Sequence, residues 1–283
     1  MSYFSLYDEG RQKLFSLQEG EHDARALLMW AFELDTASLL KHYTDDEDLK
    51  KPEAIELYRT ALALRAAHVP LQYITQRQNF CGFEFYVDKN VLIPRQDTEC
   101  LVAKVIEENP RGSAKGMRVL DMCTGSGCIA VSLKMLGAYD LVLGADISRE
   151  ALKIADANAM LNGADILFYE SDMFSKLGAV KDMDIIVSNP PYIRSSVLKE
   201  LMPEVRDFEP SGALDGGEDG LDFYRILAKE SKEHLKPGGK LYLEIGYDQA
   251  DAVKDLLERN GYHSVEVFKD LAQLDRIVRG IYV

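Results

Sequence analysis

The chain contains no apolar run approaching the roughly 20 residues that a membrane span requires, and its first stretch, Met1 to Gly20, mixes charged with apolar residues instead of forming a secretory core. A soluble, cytoplasmic protein without membrane association is expected. Cysteine is scarce. The four present, Cys81, Cys100, Cys123 and Cys128, form no CxxC pair, and the five histidines are scattered without zinc-ligand spacing. Neither a disulfide nor a metal site is therefore assigned, and the thiols are expected to serve as small apolar side chains. A basic surplus is missing too: net charge is −14, with 8 basic against 13 acidic side chains in residues 1–75 and 25 against 34 in residues 76–283. Binding to a phosphate backbone depends on Lys and Arg displacing counterions, so this balance weighs against direct contact with nucleic acid.

What is present is a chain of 283 residues, 47% apolar, enough for one large domain and a small one. From Tyr3 to His68 apolar residues recur at spacings of three and four, as in Ala24, Leu27, Leu28, Ala31 and Leu34, predicting four or five short helices. Pro52 opens one of them at a tolerated first-turn position. Val69-Pro70 breaks the pattern, and Asn79 to Ile93 reads as a hairpin turning at Cys81-Gly82. Asp97 or Thr98 is the expected N-cap of a helix that stops before Pro110.

Beyond this point strand and helix alternate, which predicts a mostly parallel, doubly wound α/β sheet covered on both faces. Strands are expected over 118–121, 141–145, 166–169, 184–188 and 240–245, with helices over 129–136, 150–161, 221–235 and 249–260, and Pro237-Gly238-Gly239 as a turn feeding the fifth strand. The last two segments, 264–269 and 276–282, have no helix between them and form an antiparallel pair, giving seven strands. Such an ending is similar to that of the S-adenosylmethionine-dependent methyltransferases.

The centre of the chemistry is Ile185-Ile186-Val187-Ser188-Asn189-Pro190-Pro191-Tyr192. An unalternating apolar run suits a strand buried on both faces, and two prolines end it and stiffen the loop that carries Asn189 and Tyr192. In open α/β sheets ligands bind beyond the carboxyl ends of the strands. Three further stretches fall at such ends. Asp121-Met122-Cys123-Thr124-Gly125-Ser126-Gly127 leads from a strand through a glycine loop into a helix, where backbone can approach a ligand closely. Its GxG is weak alone, because Cys123 and Ala130 leave the dinucleotide fingerprint incomplete. Asp146, followed by Ile147, stands about 20 residues on, where an acid accepts both hydroxyls of a ribose; the competing role is that of a helix N-cap, which Ser148 could fill instead. Asp172 and Met173 follow the third strand, where they could meet the amine and the ring of an adenine.

With these motifs, the sequence resembles the HemK-type protein glutamine N5-methyltransferases that modify peptide chain release factors. The resemblance runs over nearly the whole chain, through Pro70–Thr75, Val91–Arg95, Thr98-Glu99, the Asp121–Gly127 loop, Asp146–Ser148, Ser188–Ile193, Glu204–Arg206, Phe208–Pro210, Gly216–Asp222, Leu243–Gly246 and Asp270–Ala272 with Asp275-Arg276. Gln76, Gln96, Asp97, Cys123 and Met173 depart from the usual residues. The tetrad Asn-Pro-Pro-Tyr alone is shared with enzymes that methylate base amino groups; the combination is far more specific.

The resemblance implies three segments: an N-terminal helical domain over 1–75 for docking the partner, a hairpin linker over 76–93, and an S-adenosylmethionine-dependent domain over 94–283. It implies S-adenosyl-L-methionine as cofactor, S-adenosyl-L-homocysteine as product, and a monomer acting on the glutamine of a release factor's Gly-Gly-Gln loop. Asp121, Cys123, Thr124, Gly125, Ser126, Gly127, Asp146, Ile147, Asp172, Met173 and Asn189 would hold the cofactor. Asn189, Pro190 and Tyr192 would be catalytic, with Pro191, Arg95, Thr98 and Glu99 beside the substrate, although the last three could instead brace the hairpin. The acidic loop 215–222 is either a solvated turn or a substrate contact. A ribosomal-protein glutamine, a nucleic-acid amino group, and cofactor binding without catalysis remain as alternatives.

Overall fold

The computed structural model describes residues 2–42, 51–113 and 116–283. The chain divides into two compact units, one formed by Met1–Gln76 with Met202–Phe208 and the other by Arg77–Leu201 with Glu209–Val283.

The first unit contains α1 (Tyr3–Lys13), α2 (Gly20–Phe32), α3 (Thr36–His42), α4 (Pro52–Ala66) and α5 (Leu71–Thr75). The three-and-four spacing converges on one core of Leu6, Leu14, Leu27, Leu28, Phe32, Tyr58 and Leu62. Residues 43–50 of the predicted helical stretch lie outside the described residues. Met202–Phe208, expected within the catalytic domain, belongs to this unit. The reason is electrostatic: Arg65, almost buried, reaches Asp23 at 2.6 Å and Glu204 at 3.1 Å, and His68 meets Glu204 at 3.3 Å.

The second unit begins with the hairpin β1 (Arg77–Phe80) and β2 (Phe83–Tyr86), which turns through Cys81 and Gly82, both at positive φ as a tight two-residue turn requires. The hairpin is part of this unit's core rather than a separate linker, since Phe80 and Phe85 pack with Leu101, Val102 and Ile129. There follow α6 (Gln96–Glu108), β3 (Arg118–Met122), α7 (Cys128–Ser132), β4 (Leu141–Asp146), α8 (Arg149–Leu161), β5 (Leu167–Glu170), β6 (Met183–Ser188), α9 (Pro203–Arg206, in the helical unit), α10 (Asp222–Glu230), β7 (Leu235–Glu244), α11 (Ala250–Arg259), β8 (Tyr262–Lys269) and β9 (Asp275–Tyr282). Seven strands make one sheet in the order β5-β4-β3-β6-β7-β9-β8, the first five parallel and β9 antiparallel to both neighbours. Alternate residues feed the two faces. Ile186 and Leu241 pack beneath α10 and α11, while Ile185, Val187 and Tyr242 pack against α6 and α7.

Three local expectations change. Helix α6 is capped at Arg95, so Asp97 and Thr98 lie inside its first turn, and Thr98 spends its hydroxyl on distant partners. The helix predicted over 129–136 becomes α7 followed by a wider π turn over Leu133–Gly137. Pro237-Gly238-Gly239 does not precede the strand but bulges within it, because Leu235 already pairs with Met183 before Lys240 resumes the ladder with Ile185.

Strand order reverses between β3 and β6, which are hydrogen-bonded neighbours whose last residues, Met122 and Ser188, are in register. A crevice at such a reversal is the expected ligand position in an open α/β sheet.

Candidate active site

Ser188 ends β6 fully buried and donates its hydroxyl to the Met122 carbonyl at 2.7 Å, tying the two central strand ends together. Asn189 follows, half-buried, then Pro190 and Pro191, both buried, and Tyr192. The Asn189 side-chain nitrogen donates to the Thr98 hydroxyl at 3.2 Å, which leaves the carboxamide oxygen unengaged among the described residues. The Pro190 carbonyl also receives no hydrogen bond there. Two acceptors one residue apart are thus presented on a stiff loop, a pattern suited to the two N–H groups of a planar amide or amine.

Tyr192 is held through its backbone and through its side chain. Its carbonyl accepts from Gln249 at 3.0 Å, and its hydroxyl reaches Glu244 at 3.5 Å. The acidic loop is the floor of this arrangement: Gly216 approaches so closely that a Cβ there would sit 2.7 Å from the Tyr192 Cα. Asp215 accepts from Ser195 and from the Gly217 N–H, while Asp219 and Asp222 pair with Arg225. Those carboxylates are consumed by the loop itself, as a supporting turn requires.

The glycine loop lies beside the tetrad. Asp121 is fully buried; one carboxylate oxygen accepts from the Thr124 hydroxyl at 2.6 Å and the Ala130 N–H at 3.2 Å, and the other has no partner among the described residues. Burial pushes this carboxyl up to about 7 against the pull of those two donors. Gly127 adopts φ 80 with Ala155 Cβ 3.1 Å from where its own would stand, so this position needs glycine for both conformation and space. Ser126 is buried, and its carbonyl accepts from the Asn158 side chain at 2.9 Å.

Asp146 ends β4 with one oxygen accepting from Gly125 N–H at 2.9 Å and the other from Ser148 N–H at 2.8 Å. Ser148 caps α8 by accepting from Ala151, which resolves the competition for that role. A carboxylate has about four acceptor positions, so Asp146 keeps acceptor room for a ribose hydroxyl beside the loop N–H groups it already holds. Its own pKa is raised by burial, with the loop N–H groups pulling the other way. Ile147 exposes 67% of its surface next to it, and Asp172 is exposed beyond β5. The Cys123 thiol gathers these strand ends: burial raises its pKa, and Asp146, Asp121 and Asp172 add to the rise by charge while Ser188 counters it.

Comparison with known proteins agrees with this geometry. A family model described as methyltransferase small domain matches residues 96–204, and one described as PrmC N-terminal domain matches residues 5–75. The chain is 40% identical to the release factor glutamine methyltransferase of Geobacter sulfurreducens, over 93% of this chain and 91% of that protein. It is 42% identical to that of Moorella thermoacetica, over 90% and 88% respectively. The chain belongs to the release factor glutamine methyltransferase family. A solved methyltransferase from Pyrococcus furiosus superposes with a TM-score of 0.53 at 19% identity, over 71% of this chain and 89% of that one, a likeness of fold.

Cys123 and Met173 meet each other beside the glycine loop. Their sulfurs lie 3.9 Å apart, and both residues hold positive φ, 61° and 44°. Met173 is buried. Of the substrate-side candidates on α6, Thr98 hydrogen-bonds the tetrad through Asn189. Arg95 is engaged with buried Glu209 at 2.5 Å, and Glu99 accepts from the Cys81 N–H at 2.8 Å, bracing the hairpin. Sequence reasoning missed Glu244, Gln249 and Glu209 as members of the site's framework. The available signal for Glu244 was an acid inside the apolar strand Leu241-Tyr242-Leu243-Glu244-Ile245, since carboxylates are rarely buried without a partner.

Proposed function

We propose that this chain transfers a methyl group from S-adenosyl-L-methionine to the side-chain nitrogen, N5, of the glutamine in the Gly-Gly-Gln loop of a peptide chain release factor, leaving S-adenosyl-L-homocysteine. The observation that carries this reading is the Asn189 carboxamide, whose nitrogen is held by Thr98 and whose oxygen is left for a substrate N–H beside the glycine loop. Kinship with proteins named release factor glutamine methyltransferases supplies the substrate.

The residues present fit the cofactor. Asp121 offers a buried carboxylate oxygen without a partner among the described residues for the ammonium of the methionine part, and Asp146 keeps acceptor room for the ribose. Gly125 and Gly127, with the backbone of Cys123, Thr124 and Ser126, would form the wall of its pocket; Ile147 and Met173 would flank the adenine, and Asp172 would accept from its amine. S-Adenosylmethionine supplies an electrophilic methyl group on a sulfonium.

An amide nitrogen is a weak nucleophile because its lone pair is delocalised into the carbonyl. Asn189 Oδ1 would accept one N–H of the glutamine amide and the Pro190 carbonyl the other, holding the nitrogen in line and favouring its pyramidal form. Tyr192 would lie along the flat amide, with Pro191 fixing the turn behind it. Orientation of this kind is worth about 7–11 kcal/mol, against about 3–4 kcal/mol for one preorganised hydrogen bond, so positioning supplies most of the acceleration. The methylated nitrogen, once cationic, releases its proton to water, and no base in the tetrad is required.

The helical unit would dock the release factor, and the enzyme would act in the cytoplasm as a monomer without direct nucleic-acid contact. Among the described residues no helix is long and apolar enough to cross a membrane. Radioactive methyl donor tests the reading. Label should enter release factor and vanish when its loop glutamine is changed to alanine; label in ribosomal protein or RNA instead would overturn it.

A further inference from the structure

We propose that Glu244 is a positioning residue for Asn189, acting through the Thr98 hydroxyl to fix which end of the carboxamide faces the substrate. The inference rests on the functional reading above and deepens it. Glu244 ends β7 beside β6, where Leu243 is in register with Ser188, and it is 1% exposed. Thr98 of α6 faces its carboxylate and holds its pKa down as a hydroxyl donor, the Tyr192 hydroxyl lies 3.5 Å from Oε1, and among the described residues Oε2 has no partner.

The direction of each hydrogen bond follows from charge. An ionised carboxylate only accepts, so the single Thr98 proton must point to Glu244. The Thr98 oxygen then offers lone pairs alone, and Asn189 must turn its NH2 toward it, as the 3.2 Å contact shows. Its oxygen is thereby committed to the crevice. A protonated Glu244 reverses the chain. It donates to Thr98, Thr98 donates to the Asn189 oxygen, and the carboxamide presents its NH2 to the substrate's own NH2, where two donors oppose each other.

The groups facing Glu244 place this reversal in an accessible range. Asp97 and Cys100 approach from α6 along with Thr98, Arg276 from β9, Tyr192 from the segment after β6, and Tyr224 of α10 donates to the Glu244 backbone carbonyl at 2.8 Å. Arg276 is already bound to Asp270, Asp97 and the Ile245 carbonyl, so it acts on Glu244 through charge alone. Burial dominates and pushes the carboxyl up to about 7, with Thr98 and Arg276 pulling down and Asp97 pushing up. A buried acid with an unpaired oxygen costs folding free energy that an apolar residue would not, so a purely structural role does not account for it.

Four measurements decide the matter. In the wild-type enzyme kcat should rise with pH through an acid limb near 7, and Glu244→Gln, which cannot titrate, should abolish that limb. Thr98→Val should lower kcat roughly tenfold or more while KM for release factor and cofactor affinity stay within about twofold, and Thr98→Ser should recover most of the loss. Without any substrate, the Asn189 side-chain amide resonances should move with pH in the wild type and stay fixed in Glu244→Gln. A Thr98→Val enzyme at wild-type kcat, or an acid limb or resonance titration that persists in Glu244→Gln, overturns the relay. Wild-type protein that methylates no release factor overturns the functional reading instead, and the resonance titration still decides the relay.

Discussion

In the proposed reaction Asn189 carries the central role, because it is the point where a rigid strand end, a hydroxyl from α6 and the crevice at the strand ends coincide. Replacing it with alanine removes one directed hydrogen bond without touching the Asp121 and Asp146 contacts, so cofactor affinity should hold while kcat falls by about a hundredfold or more. Single-turnover rates beside calorimetric cofactor binding check both halves, and near-normal turnover would refute the role. Asp121 illustrates a different balance. Its carboxyl rises from 3.8 to about 7 on folding, so the folded state holds a proton more tightly than the unfolded chain. Stability from that proton is present below about pH 4 and is lost as pH climbs toward 7. Asp121→Asn keeps an acceptor for Thr124 and Ala130 and removes the charge. It should raise the Tm of the cofactor-free protein at pH 8, by the equivalent of a few kcal/mol, and change it little at pH 4. The same variant should bind S-adenosylmethionine more weakly. Thermal scans at the two pH values test the sign.

At the level of elements, the tetrad is held in place by other segments. Gly216 lies against the Tyr192 backbone, so Gly216→Ala must displace that residue or the loop below it, at a cost of about 1–3 kcal/mol. The expected result is reduced kcat with unchanged cofactor affinity, since the glycine loop between β3 and α7 is untouched; equal loss of both would place the loop elsewhere in function. This support was only partly legible in the sequence. Unalternating apolar runs and turn residues located the strands, because burial on both faces leaves its mark residue by residue. The bulge inside β7 was hidden, since Pro237-Gly238-Gly239 reads locally as a turn and only the pairing of Leu235 with Met183 carries the strand back past it. The cap of α6 was misplaced for a related reason. Thr98 is a good capping residue by local chemistry, but its hydroxyl is claimed by Asn189, 91 residues further along. Arg95 and Glu99 read equally as substrate contacts or as braces for the hairpin, because the groups that engage them, Glu209 and the Cys81 N–H, are remote in sequence.

On the scale of the molecule, the chain enters the helical unit twice, first as residues 1–76 and again as 202–208, and the second visit falls between the tetrad and the acidic loop that supports it. The anchor for that visit is Arg65, set between Asp23 and Glu204. The two acids are not equivalent. Asp23 is 6% exposed at its side chain and Glu204 21%, so losing the arginine leaves one carboxylate buried and uncompensated and the other with a partial route to water. Arg65→Met should therefore cost about 3–5 kcal/mol, the range for breaking a buried pair from one side. Glu204→Gln leaves Arg65 with Asp23 and should cost closer to about 1 kcal/mol, as a partly exposed pair does. Urea unfolding at neutral pH separates the two, and equal costs would refute the buried-pair account. Kinetics add a second reading. Because 202–208 is held by the helical unit while both flanks serve the catalytic one, Glu204→Gln should lower methylation of release factor out of proportion to its small effect on stability. The same variant with unaltered methylation would confine the Arg65 cluster to folding the helices.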